Sequence, residues 1–141
     1  MDQIEIDFTV EHVHARAGLL KRAAANLDAD KAGFQEELDD LNKSAPGFNN
    51  QYDAKVRIKR DISEIERAQA LTEGRLVAAI ALAERLVGVT DIAAFPVHAK
   101  ALAREGFPAD ARPAGHANVH LGYAHELSEF VERLEARANR T

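Results

Sequence analysis

The chain contains no cysteine and no tryptophan, and only four prolines. Without thiols it can form neither a disulfide framework nor a thiolate metal site, and its redox compartment stays open. Aromatics make up 6% of residues while 46% are hydrophobic and 29% charged. With Ala, Leu, Glu and Arg abundant, that profile belongs to helical bundles, not to β-sandwiches or disordered tails. Long apolar runs are missing too. The longest, Leu76 to Ala83, is eight residues, far short of a bilayer crossing, so no membrane partner is expected. The first residues, MDQIEIDF, are acidic and alternating, unlike a cleavable signal peptide. Nor is there an excess of positive charge: the formal net charge is −5, which disfavours nucleic acid. The expectation is one domain of 141 residues, cytoplasmic or exported without a cleavable signal peptide.

What is present is a stripe. Val10, Val13, Ala17, Leu20, Ala24, Leu27, Lys31, Phe34, Leu38 and Leu41 recur at alternating steps of three and four. That spacing stacks side chains along one helix face, as in a coiled-coil seam. A helix over 10–43 follows, ended by Ser44-Ala45-Pro46-Gly47, where Pro cannot continue the ladder. A second helix over 52–88 carries Ile58, Ile62, Ile65, Ala68 and Leu71, then broadens into LVAAIALAERLV, with Gly74 as an interior weak point. The 44–51 turn is short, so the two helices should be antiparallel. A broken helix over 90–106 and a last helix over 117–139 follow, the latter with a stripe of His120, Tyr123, Leu127, Phe130 and Leu134. Residues 1–9 alternate Ile4, Ile6 and Phe8 with acids and read as an extended arm, with Thr9 as the N-cap of the helix that follows.

The expected fold is therefore all-α: a long antiparallel helical hairpin, thickened at one end into a small bundle by the two C-terminal helices. The broad apolar halves, 13–27 and 71–87, need cover on more than one side. The turn end should be a thin two-helix projection, with Glu36, Glu37, Asp39 and Asp40 facing Lys55, Arg57, Lys59 and Arg60.

Chemistry-bearing patterns are few. His116 and His120 lie four apart, the spacing two imidazoles need to share a metal ion, and Glu11 and His14 have the i, i+3 spacing of carboxylate-bridged bundles. The seams at that depth are apolar, so the histidines read as hydrogen-bonded neighbours, with a metal-binding bundle as an alternative. His12 and His14 flank the seam and titrate near neutral pH. No Ser-His-Asp arrangement, phosphate-cradling glycine loop or buried carboxylate pair is visible, so neither an enzyme nor a cofactor is expected. Phe48 and Tyr52 at the turn are candidate partner anchors, as are Ile4, Ile6 and Phe8 on the arm.

The first ninety residues resemble a family. IEID, an Ala- and Leu-rich helix, Ala45-Pro46-Gly47-Phe48 at the turn, and Gly88-Val89-Thr90-Asp91 after a second long helix are similar to the WXG group of small type VII secretion substrates. The resemblance implies an antiparallel hairpin that pairs into a four-helix dimer and leaves the cell without a signal peptide. The motif Trp is absent, Gly precedes the aromatic, and Val87 stands where the export tail has Tyr. The expected role is a non-enzymatic interaction or assembly protein acting through helix packing, with a protein partner or itself. The alternatives are a structural subunit of a larger particle, such as a phage head or tail component, and the metal-binding bundle.

Overall fold

The computed structural model describes residues 3–43, 49–108 and 117–138. Four helices account for nearly all of them: α1 (Gln3–Lys43), α2 (Asn49–Arg85), α3 (Phe95–Glu105) and α4 (Ala117–Ala138), with a 3-10 turn over Ile92–Ala94 before α3. At 1.5 Å per residue, α1 and α2 are each roughly 55–60 Å long.

The first turns correct one expectation. Residues 3–9 are helical, not an extended arm. A lone strand leaves every backbone N–H and C=O unpaired, whereas continuing the helix satisfies them internally. Thr9, expected as the N-cap, sits inside α1 and is only 4% exposed.

Two helix ends follow the sequence closely. Gly88 and Gly106 both have φ near +80°, a conformation that costs a residue with a Cβ. Gly106 N–H closes α3 on the Leu102 carbonyl at 3.1 Å. Between them the Asp91 carboxylate accepts from the Ala93 N–H at 3.0 Å and caps the 3-10 turn. Pro96 sits in the first turn of α3, where its missing N–H removes nothing.

The helix directions can be read from side-chain pairs. Asp28 accepts from Gln69 at 2.6 Å, and Lys31 lies 3.6 Å from Glu66. A step forward in α1 is thus a step back in α2, so the two run antiparallel. From α4, Val119 and Gly122 meet α2 at Gly74 and Leu71, and Glu126 reaches Arg75. Glu126 and Phe130 also share the lining of a small cavity with Ala79 and Leu82. Advancing along α4 therefore advances along α2. Against α1 the order reverses, with Arg16 at Glu126 and His12 at Phe130, Leu134 and Arg137.

The core lies at one end. Val13, Ala78, Leu82, Leu86, Ile92, Phe95, Ala99, Leu102, Tyr123, Leu127 and Phe130 form one buried cluster drawing on all four helices. A separate small cluster, Leu38, Ile58 and Ile62 with Phe34 and Leu41 beside them, joins α1 and α2 alone. α4 meets α2 at Leu71 and Gly74, and among the described residues the cluster around Leu38, Ile58 and Ile62 draws on α1 and α2 alone.

The α2–α4 contact is a backbone contact. A Cβ on Gly74 would overlap the Val119 carbonyl oxygen and come within 2.8 Å of the Tyr123 nitrogen; one on Gly122 would overlap the Leu71 carbonyl oxygen. Two glycines, one per helix, let the axes approach as no larger residue would. Gly74, a weak point by helix propensity, is the crossing point that seats α4.

Candidate interaction surface

Polar chemistry inside the bundle is concentrated on one acid. The Glu126 side chain is 4% exposed and accepts from Arg16 Nε at 3.0 Å and Nη2 at 3.1 Å, and from Arg75 Nη1 at 3.0 Å. Arg75 also grips Glu129 through two bonds, at 3.0 and 3.2 Å, and Arg133 approaches Glu129 at 3.4 Å. The hydrogen bond to Glu129 raises the Arg75 pKa against an opposing effect of burial. The same bond holds the Glu129 carboxyl below its usual range. Held by Arg16 and Arg75, the Glu126 carboxylate is a clamp joining α1, α2 and α4.

The candidate ligands of the alternative metal-binding reading are His116, His120, Glu11 and His14. Glu11, His14 and His120 are all exposed, and His120 stacks obliquely on Phe107 with ring centroids 5.1 Å apart. His116 lies outside the described residues. Among those described, no three His, Cys, Asp or Glu residues could hold a metal ion. His120, placed on the buried stripe from sequence, is replaced there by Val119, 1% exposed. His12 is exposed beside Phe130 and Arg133.

An open cleft of about 580 Å³ lies at the bundle end between α2, α3 and α4, lined by Arg85, Glu105, Phe107 and Tyr123 among others. An exposed Arg85–Glu105 ion pair spans it at 3.1 Å. The Tyr123 hydroxyl is buried and lacks a hydrogen-bond partner. Burial, with help from Glu105 and against Arg85, pushes its pKa up.

The other exposed feature is the two-helix projection. Beyond the bundle, α1 and α2 enclose an open groove of about 390 Å³ lined by Leu27, Phe34, Ile65 and Ala68, with Asp61 and Glu64 along one edge. No third helix covers it among the described residues. Of the expected ladder of acids on α1 against bases on α2, no ion pair among the described residues joins Glu36, Glu37 or Asp39 to Lys55, Arg57, Lys59 or Arg60. Glu36 is two residues from the buried Leu38 and so is turned about 160° from the seam. The cross-helix pairs that do form, Asp28–Gln69 and Lys31–Glu66, lie nearer the bundle.

No protein-family model, curated protein or solved structure matches the chain. The fold and its surfaces therefore carry the functional reading unaided.

Of the expected partner anchors, Tyr52 is 69% exposed on the first turn of α2. Ile4 and Ile6 lie on the first turns of α1, and Phe8 just after them, all on helix where an arm was expected. Phe48 lies outside the described residues. The sequence reading missed Glu126, whose signal was present: Val119, Tyr123, Glu126 and Phe130 are spaced four, three and four apart, which puts the acid on the buried stripe. It also missed the charge pattern of α2 developed below.

Proposed function

We propose that this protein is an interaction or assembly protein that works through helix packing, with the two-helix projection as its docking surface. The supporting observation is the groove on the projection, floored by Leu27, Phe34, Ile65 and Ala68, beside charged α2 residues that have no partner among the described residues. A two-helix layer buries each seam on one side only, and half-buried apolar side chains gain when a further helix completes the layer. Pairing into a four-helix dimer, as the type VII resemblance implies, would use this part of the chain, because α3 and α4 already occupy the bundle end.

The test is the size of the native protein in an extract of the cells that make it, beside the Ala68→Glu variant. The reading expects an assembly larger than the monomer that falls to monomer size when a carboxylate enters the groove. A monomer in both cases would end it.

A further inference from the structure

The charged stripe on α2 has a symmetry of its own. Asp53, Arg57, Arg60, Glu64 and Arg67 are spaced four, three, four and three apart, which aligns them on one face of the helix. Asp61 sits beside them on the groove edge. None of these six residues has an ion pair or hydrogen bond among the described residues. With Asp61 included, the signs along the chain run minus, plus, plus, minus, minus, plus. Read backwards, every sign inverts.

A sequence whose charges invert on reversal is complementary to an antiparallel copy of itself. We propose that the partner of the projection is a second copy of this chain, docked α2 against α2 about a two-fold axis between Arg60 and Asp61. This rests on the reading of the projection as a docking surface. In that arrangement Arg60 meets Asp61 of the second copy and Arg57 meets its Glu64, while Asp53 and Arg67 lie one residue, about 1.5 Å, out of register and within side-chain reach; each pair occurs twice. Such an isologous contact closes at two subunits. An axis lying in the contact plane keeps both grooves on the same side of the paired α2 helices.

The size of the surface sets the strength. Residues 52–71 of α2 span roughly 30 Å. A contact of that length and one to two helix diameters wide covers roughly 300–600 Å² per copy, below the 800 Å² of a standard stable interface. The dimer is therefore weak, in the micromolar range or above. It is also salt-sensitive, because its charges sit at a solvated surface.

Sedimentation equilibrium of the purified protein tests this at low salt and concentrations from micromolar to several hundred micromolar. The unmodified protein is expected to pass from monomer to dimer, with Kd rising at least tenfold between about 50 and 500 mM salt. R57E/R60E and D61K/E64K each place like charges opposite one another and should stay monomeric. Mixed one to one, they restore every pair and should form a heterodimer. Circular dichroism establishes that each variant is helical, and the salt series reads the same claim without any substitution. A monomer throughout the range, a dimer indifferent to salt, or variants that dimerise alone would overturn the proposal. The broader reading survives a purified monomer if the extract still holds a larger assembly sensitive to Ala68→Glu, so the two can fail separately.

Discussion

Substituting Gly74 by Ala sets two effects of opposite sign against each other. On helix propensity alone, Ala in a helix interior gains about 1 kcal/mol over Gly. The packing says otherwise, because the new Cβ would overlap the Val119 carbonyl oxygen and stand 2.8 Å from the Tyr123 backbone nitrogen. Both obstacles are backbone atoms of α4, so no side-chain rotation relieves them and the helix must retreat by about 1 Å or more. Overpacking of this kind costs about 1–3 kcal/mol. The upper end applies here, since the retreat also pulls Glu126 and Glu129 from Arg75. The net expectation is a loss of about 1–2 kcal/mol, or a fall in Tm of roughly 4–8 °C for a domain of this size. Thermal denaturation followed by circular dichroism reads it directly. Gly33→Ala is the control: its Cβ would meet nothing within 4 Å, so propensity acts alone and Tm should rise. If Gly74→Ala raised Tm as Gly33→Ala does, α4 would not sit against α2 as described.

Three further outcomes follow from the same packing. Glu126→Gln keeps the shape but leaves Arg16 and Arg75 facing a neutral group; both are partly exposed, so a loss of about 1–2 kcal/mol is expected in urea unfolding, well short of what a fully buried pair would lose. The Glu129 pKa is lowered in the folded state by Arg75, so its contribution to stability is complete above the unfolded value near 4.5 and disappears as pH falls through the lower folded value. Arg75→Gln should accordingly flatten the stability profile between about pH 5 and the acid transition, which denaturation at a series of pH values would show. Amide hydrogen exchange in dilute, monomeric protein should be faster at 34–41 and 54–65 than at 78–86 and 119–130, because only two helices protect the former; equal protection would place a third helix over the projection.

The sequence exposes the long seam well. Val13, Leu20, Leu38, Ile58 and Ile62 are buried at the positions the three-four spacing assigns, because that spacing follows directly from helical geometry. Leu19, an apolar residue beside the seam, is 52% exposed; among the described residues α4 meets α1 around His12 to Arg16. The alternation at Ile4, Ile6 and Phe8 misled, since five residues of period two weigh little against an adjoining helix that can extend. Gly74 and Gly122 were harder to see for a common reason. Each is unfavourable or unremarkable within its own helix and acquires its role only from a neighbour distant in sequence. The same holds for the α2 charges, whose order carries meaning only beside a second helix.

The central claim is that α4 packs at the bundle end and leaves the projection two helices thick. Because the chain has no cysteine, nitroxide labels can be attached at chosen pairs of introduced cysteines without background. His14, Glu37 and His125 are exposed positions suited to this. With α4 beside the first turns of α1, labels at 14 and 125 should lie within about 20 Å of each other. Labels at 37 and 125 should lie beyond about 30 Å, since positions 14 and 37 are themselves roughly 35 Å apart along α1. Dipolar spectroscopy giving the reverse order would place α4 on the projection and contradict the account.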